Sequence, residues 1–457
     1  MNGQSGRVRS RIARGIGANA FTHAIIAVVQ LAIVPALASQ WGLQLYGWWV
    51  LVSTIPSYVA LGDLGFASAA GVDMTIKVAQ GDRAGALKTY QNAWIMVTIL
   101  SVALMIVCFS IAWLLPARYL ATSTVDASTF RTVVTLLTAQ SIVALQGSIL
   151  LAGFRCNGMY ALGTMTQAWI MLGEGLALIL VVTFGGGPVL AAATLVGCRI
   201  SGVAAQFVLL SVKAPWLNLR GRRVSLAEIK RLLRPSLGII CFSGAQATFL
   251  QGTTIVVGAA MSPASAAVFS SVRTLTRIGV QSTLLLNRAV APEFSIVSAR
   301  SDRSAQARII GLTVLSSTLL LLPAAAALFA LGPTLIRIWT VNTVQAPYSL
   351  IATMTAVMML HGFWMPLANC LIAINKHAKF SQVYLGSSLA AVAAAYPLTR
   401  ALDETGAAIA LLVLDATMLT VVSTILLTRL CNMREIFDAL RKDLSSLKAK
   451  LLRKFTF

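Results

Sequence analysis

Twelve apolar stretches, each long enough to cross a bilayer, constrain this chain more than any other feature. The hydrocarbon core of a membrane is about 30 Å thick, and a helix that rises about 1.5 Å per residue crosses it in roughly 20 residues. The sequence is therefore predicted to be an all-α polytopic membrane protein with about twelve transmembrane helices, called spans 1 to 12. They occupy residues 15–38, 46–71, 89–115, 128–153, 159–184, 189–212, 232–261, 264–290, 307–331, 347–373, 380–399 and 406–428.

The composition agrees with lipid as the solvent of this fold. Hydrophobic residues make up 57% of the chain and charged residues 11%, whereas soluble domains are about 45–50% apolar and about 25% charged. A membrane β-barrel would need alternating apolar and polar residues, and runs such as Trp94 to Leu115 do not alternate. The apolar run after Arg14 is longer than a signal-peptide core and a second span follows at once, so it is predicted to stay as span 1.

The strongly basic balance follows the membrane topology. The formal net charge is +22, but a nucleic-acid partner would require basic residues gathered on one soluble face with stacking aromatic residues. Most of the 36 Lys and Arg residues instead fall in segments that become cytoplasmic when both termini lie inside, with exceptions such as Arg118 and Arg131. The positive-inside rule then predicts that both termini are cytoplasmic. The chain is expected in a bacterial inner membrane, with membrane lipids as partners and no nucleic-acid partner.

The longest internal polar stretch divides the chain into six spans plus six. Each half begins inside and holds an even number of spans, which predicts a parallel repeat of the kind found in transporters. The basic tail places apolar residues at helical spacing, so it is predicted to lie on anionic lipid, with binding of a protein partner as the alternative. The predicted domains are an N-terminal lobe at 1–213, a basic linker with a short amphipathic helix at 214–231, a C-terminal lobe at 232–430 and the amphipathic tail at 431–457.

Arginines inside two spans predict an anion-binding cavity. A charged side chain at the bilayer centre costs at least about 2.5–3.5 kcal/mol, so each one needs a partner, a wet cavity or a function. Arg273 and Arg277 share one face of span 8, Gln281 follows one turn later, and Arg199 lies at a similar depth in span 6. A guanidinium group can donate two parallel hydrogen bonds to the oxygens of one phosphate. The three arginines, together with Gln281, are therefore predicted to hold a diphosphate. Alternatively, the arginines pair with acidic residues as struts between helices.

Three acidic residues inside the spans are predicted to serve gating or ion coupling. Asp415 lies near mid-depth of span 12, where it could bind and release a proton. Asp63 lies in a glycine-containing part of span 2, with capping of a kink as the alternative. Glu174 lies between two glycines, which also suits a structural role in close helix packing. His23 and His361 are expected to be core or cavity residues rather than metal ligands or proton relays.

The chain is predicted not to be an enzyme and to need no cofactor and no metal. No nucleotide-binding motif, recognisable Ser-His-Asp set, CxxC motif or histidine cluster is present in the sequence. No segment between the spans is long enough for a catalytic domain. An ATPase within this chain is therefore excluded.

Over its whole length the sequence resembles the polysaccharide and O-antigen flippases (the Wzx type), which share a superfamily with the MATE multidrug exporters. The resemblance rests on two sets of six spans and on several local motifs. These are Tyr46-Gly47 at the start of span 2, Asp63-Leu64-Gly65-Phe66 near its inner end, Gly81-Asp82 in an inner loop, and Arg273 with Pro292 in and after span 8.

The resemblance implies two six-helix lobes around a central cationic cavity that opens alternately to either side. It implies transport of an undecaprenyl-diphosphate-linked oligosaccharide for O-antigen, exopolysaccharide or capsule, with the diphosphate at Arg199, Arg273 and Arg277. The resemblance leaves open whether H⁺ or Na⁺ and the polysaccharide polymerase machinery are further partners. Two alternatives are a MATE-like drug or metabolite antiporter, which would favour acidic cavity walls, and a polysaccharide polymerase or ligase, which would usually carry a larger outer loop.

Overall fold

The computed structural model describes residues 2–59, 66–117, 124–219, 242–300, 302–374 and 378–441, and within them no strand occurs. The predicted all-α class is thereby confirmed. The helices before the linker are α1 (Asn2–Val52), α2 (Thr54–Val59), α3 (Phe66–Ala79), α4 (Arg83–Leu114), α5 (Ala127–Cys156), α6 (Tyr160–Thr183) and α7 (Pro188–Lys213).

Beyond the linker, residues 242–247 are helical and continue into one π-helical turn, Thr248–Gly252. A short helix at 433–441 begins the predicted tail. The other helices of this half are α8 (Thr253–Ala260), α9 (Pro263–Ala299), α10 (Arg303–Trp339), α11 (Tyr348–Ala373) and α12 (Ala378–Arg429).

Within the described ranges, eight helices are long and apolar enough to cross a membrane. Two of them join a pair of predicted spans across a kink. The first kink is at Gly42 (φ 69°), a conformation that glycine adopts without strain. The second is at Asp403 (φ 52°), next to Leu402. The eight helices therefore hold ten of the predicted spans. The other two, spans 7 and 8, correspond to the helical residues 242–260 and to α9, so the structure is compatible with twelve spans.

Span 2 is broken where the sequence predicts a continuous helix over 46–71. Helix α1 ends at Val52, Ser53 lies in a turn, and α2 begins at Thr54. Pro56 contributes to the break because it has no N–H to donate to the Val52 carbonyl four residues earlier. Asp63 lies outside the described residues.

Contacts between residues divide the chain into two compact units. The first unit comprises Met1–Ser271 with Arg337–Val344, and the second comprises Val272–Ile336 with Gln345–Phe457. The division at the 214–231 linker stays a prediction. Residue Leu217 at the start of that linker is buried in the apolar core of the first unit.

Helix α5 is the central helix of the first unit. It packs against α2, α3, α4, α6 and α7, and half of its most apolar stretch is buried. Helix α1 packs along α6. The first unit therefore surrounds α5 with helices, and its polar side chains in mid-span face other helices.

Helix α11 takes the corresponding place in the second unit, with 61% of its most apolar stretch buried, and α12 packs along it. The first part of the predicted tail also packs here, because Leu440 fills the space left by the missing side chain of Gly311 in α10. Residues 442–457 of the predicted tail lie outside the described residues, and the lipid-binding role of the tail at 431–457 stays a prediction.

Large apolar side chains remain exposed along the spans. Ile106, Val208 and Leu319 are each at least 60% exposed, although they lie within long helices. Soluble proteins rarely expose extended apolar surface. Lipid contact explains this surface, and the chain is a multi-pass membrane protein.

Candidate functional site

Two of the predicted charged residues form a buried ion pair in the first unit. Glu174 of α6 and Arg199 of α7 are 7% and 9% exposed, and the Arg199 guanidinium donates to the Glu174 carboxylate. Gln140 Nε2 of α5 donates to Glu174 Oε1 at 3.0 Å. The structure thus uses Arg199 as the interhelical strut that was the alternative to diphosphate binding, and its charge is balanced.

Both partners lie far from the helix ends. Glu174 is 14 residues after Tyr160, so it lies ~21 Å along α6, and Arg199 lies ~17 Å along α7 from Pro188, at about 1.5 Å per residue. Gly175, next to Glu174, allows α1 to approach, since a side chain there would meet Val29 at 2.5 Å. The glycine on the other side, Gly173, faces open space. Close helix packing at Glu174 therefore depends on one of its two neighbouring glycines.

A cavity of about 340 Å³ opens beside this pair, inside the first unit. It is bounded by α1, α5, α6, α7 and the break between α1 and α2. Aliphatic side chains make up most of its wall. The polar, charged and aromatic residues of its wall are Gln30, Trp49, Ser53, Gln140, Glu174 and Arg199. This space is called the first-unit cavity.

Asp415 is the centre of a second buried cluster, in the second unit. The side chain is 0% exposed, and its Oδ1 accepts hydrogen bonds from Trp364 Nε1 at 2.7 Å and makes a 2.9 Å contact with His361 Nδ1. Oδ2 of Asp415 is buried and has no hydrogen-bond partner among the described residues. The Tyr384 ring packs against Trp364 with centroids 5.1 Å apart. A carboxylate, an imidazole and a phenol therefore meet away from lipid.

The predicted arginine stripe lies on α9, also in the second unit. Arg273 is 9% exposed, and Arg277 and Gln281 are partly buried. Their spacing of four residues places all three on one face of the helix. Among the described acidic residues, none forms an ion pair with Arg277.

The structure therefore assigns to different units residues that the sequence grouped together. Arg199 belongs to the first unit with Glu174, whereas Arg273, Arg277 and Gln281 belong to the second. Diphosphate binding by these four residues stays a prediction, as do the gating roles of Asp63, Glu174 and Asp415.

Sequence reasoning missed two partners of the buried acidic groups. Gln140 lies in the middle of span 4, but it carries no charge. The criterion that selected the other residues, the free-energy cost of a charge in lipid, therefore does not identify it. His361 was expected to be a core or cavity residue without a proton-relay role, and the structure adds that it contacts Asp415. Its distance of 54 positions from Asp415 gives no sequence signal for that contact.

Comparisons with known proteins agree with this architecture. Residues 46–345 match the family model of polysaccharide biosynthesis proteins. None of the curated proteins matches the sequence. Among solved structures, an inward-facing multidrug resistance MATE family transporter of the MOP superfamily is similar, with a TM-score of 0.69, 16% identity, and 94% of this chain and 95% of that chain covered.

Two further solved structures share the fold. An outward-facing MATE family transporter of the MOP superfamily has a TM-score of 0.63 and 16% identity, covering 96% of both chains. A MOP superfamily transporter from Pyrococcus furiosus, in which reverse polarity of the binding pocket suggests a different function, has a TM-score of 0.63 and 15% identity, again covering 96% of both chains. At these identities the likeness concerns the fold.

The class that the structure defines is a helical multi-pass membrane protein with a fold of the MATE type and with polar clusters buried in each unit. The chain belongs to the polysaccharide biosynthesis protein family, since the family model covers more than half of its length. The predicted resemblance to polysaccharide flippases and MATE exporters is thereby confirmed for family and fold.

Proposed function

We propose that this protein is a flippase that carries an undecaprenyl-diphosphate-linked oligosaccharide from the cytoplasmic to the periplasmic leaflet by alternating access. Family membership supports a role in polysaccharide biosynthesis, and the fold supports transport. The substrate joins a lipid tail to a doubly charged linkage and a sugar head. Such a molecule needs a polar path beside lipid, which a soluble enzyme does not offer.

The observation that carries this proposal is the arginine stripe on α9. Arg273 and Arg277 are held at mid-span, and Arg277 has no ion-pair partner among the described acidic residues. Two guanidinium groups four residues apart on one helix face would together offer several N–H donors to a diphosphate. Hydrogen bonds to charged groups contribute about 1.5–3 kcal/mol each, so the stripe would favour this substrate over a neutral lipid.

The test is replacement of Arg273 and Arg277 by alanine, singly and together, in a strain that depends on this protein for surface polysaccharide. The double variant is expected to lose surface polysaccharide and to accumulate lipid-linked oligosaccharide facing the cytoplasm, at unchanged protein abundance. Arg277→Lys keeps the positive charge but loses the planar guanidinium group, so export of polysaccharide should decrease at least about tenfold. Exposed Arg429→Ala is the control. Normal polysaccharide in the double alanine variant would refute the proposal.

Ion coupling is proposed at Asp415, with H⁺ or Na⁺ as the ion. Oδ2 of the buried carboxylate has no hydrogen-bond donor among the described residues, so it can accept a cation or a proton. In proteoliposomes, Asp415→Asn should abolish substrate-driven movement of the coupling ion while the substrate still binds. Imposed pH and sodium gradients, applied separately, identify the ion. Unchanged gradient dependence in this variant would remove Asp415 from the coupling step.

A drug or metabolite antiporter is the second candidate, because the MATE fold also serves multidrug transport in the solved structures. The two functions separate in a deletion strain. A flippase deletion is expected to change surface polysaccharide and leave drug susceptibility unchanged, and an antiporter deletion is expected to do the reverse.

Loop charge supports the proposed placement in a bacterial inner membrane with both termini in the cytoplasm. Reporter fusions to the two ends test this orientation. A polysaccharide polymerase that receives the flipped lipid is the proposed protein partner.

A further inference from the structure

We infer that the first-unit cavity binds an uncharged sugar ring and contributes to selection of the oligosaccharide head. Naming the head of the transported lipid as the source of that sugar rests on the proposed function. The binding itself is inferred from the cavity's charge, hydrogen-bonding groups and size.

The charge of the cavity excludes the diphosphate. Arg199 is the cavity's cation and Glu174 its anion, and the two are ion-paired. A diphosphate would have to compete with Glu174 for Arg199, and it would leave a buried carboxylate without its cation, which costs about 3–5 kcal/mol. An organic cation would face the same penalty from Arg199. A neutral ligand disturbs neither charge.

The hydrogen-bonding groups suit hydroxyls. Gln140 uses one N–H for Glu174, which leaves its second N–H and its carbonyl oxygen for a ligand. Nε of Arg199 is buried and donates to no described acceptor. Ser53 adds a hydroxyl, and the helix break beside it leaves the Val52 carbonyl without its usual helical donor because residue 56 is proline. Groups that both donate and accept are what adjacent sugar hydroxyls require.

The remaining wall suits the apolar face of a sugar ring. Trp49 lines the cavity, held edge-to-face against Trp41 with centroids 5.4 Å apart. Aliphatic residues such as Ile33 and Leu137 complete the wall. The electron-rich face of an indole attracts the polarised C–H groups of a sugar ring. A lipid tail could pack against these apolar side chains, but it would leave the polar groups of Gln140 and Ser53 without hydrogen-bond partners.

The cavity is too small for the whole substrate. Its volume of about 340 Å³ is at the low end of ligand pockets, which run from roughly 300 to 1,000 Å³. It therefore fits a small part of a head group and leaves the lipid and the diphosphate elsewhere. Interrupted transmembrane helices form substrate sites in other transporters, and the turn at Ser53 interrupts span 2 beside this cavity.

The experiment measures sugar binding without translocation. The full-length protein in lipid nanodiscs is titrated with neutral hexoses, 6-deoxyhexoses and N-acetylhexosamines, and separately with inorganic pyrophosphate, while tryptophan fluorescence is recorded. At least one sugar is expected to give a saturable change that disappears in Trp49→Phe. Gln140→Leu should weaken that binding at least tenfold, and Gln140→Asn, which keeps the amide, should weaken it less.

The matched control is Gln206→Leu, because Gln206 is also a buried glutamine but lies on α7 outside the cavity. It should bind sugar as the natural protein does. Failure of every sugar to bind, unchanged binding in Gln140→Leu, or saturable pyrophosphate binding that requires Arg199 would overturn the inference. Sugar binding that persists when the export test fails would refute only the proposed function.

Discussion

The ion pair between Glu174 and Arg199 allows a quantitative test of the first unit. Arg199→Met keeps a long flexible side chain and removes the charge, which leaves Glu174 with the single hydrogen bond from Gln140. Both residues are at least nine-tenths buried, so solvent can screen little of the loss. Leaving one member of a buried pair uncompensated costs about 3–5 kcal/mol.

The double variant Glu174→Leu/Arg199→Met should be more stable than either single variant. Removing both charges also removes the need to bury them, and such replacements are often neutral or stabilising. For units of this size each kcal/mol shifts Tm by about 2–4 °C, so each single variant should lose about 6 °C or more. The double variant is expected to lie much closer to the natural protein.

The assay is thermal unfolding of the four proteins in one detergent, followed by tryptophan fluorescence and combined as a double-mutant cycle. A coupling energy above about 1 kcal/mol is expected for residues in direct contact. If the two single effects simply add within about 0.5 kcal/mol, the charges are not held together and the reasoning fails.

Two further predictions concern a tight contact and a helix cap. Gly47→Ala places a Cβ atom 1.7 Å from the Pro263 carbonyl oxygen. This clash should lower the free energy of unfolding by about 3 kcal/mol or more, and the abundance of folded protein should decrease. The control is Gly17→Ala, whose Cβ atom meets nothing within 4 Å, so this variant should keep normal abundance. The pKa of Asp126 is held below its ordinary range, chiefly by a hydrogen bond from Ser128. Its stabilising effect should therefore be complete above pH ~3.9 and decline as pH falls further, and Asp126→Asn should flatten the acid side of a Tm-against-pH curve.

The helical, multi-pass class follows from the sequence alone. An unpaired peptide group in lipid is so costly that a run of about 20 apolar residues has few options besides a helix. That constraint acts locally, so it can be read at spans such as 89–115 without knowledge of their neighbours. The loop charge that predicts orientation is equally local.

Breaks within the helices are less visible in sequence. Gly42 and Asp403 kink helices with hardly any intervening loop, so the predicted turns were too long. Span 2 looked continuous because its composition is apolar throughout, although Pro56 marks the place where hydrogen bonding fails. Hydropathy reports the environment of a residue and does not report whether its N–H has an acceptor.

The candidate sites divide in the same way. Mid-span positions of Glu174, Arg199 and Asp415 identify them as residues that need a partner, because an isolated charge in lipid is too costly. Which partner each one has depends on helix packing: Arg199 pairs with Glu174, and Asp415 contacts His361 and Trp364 across more than 50 positions of sequence.

The sequence by itself determined that this chain crosses a membrane many times and that each charge within a span needs a partner, a wet cavity or a function. Both conclusions follow from the free-energy cost of placing each residue in lipid. Only the tertiary structure decided that Arg199 is neutralised, that Gln140 and Trp49 line a cavity beside it, and that the arginine stripe belongs to the other unit. Those facts depend on distances between helices, which the lipid cost of a single residue does not specify.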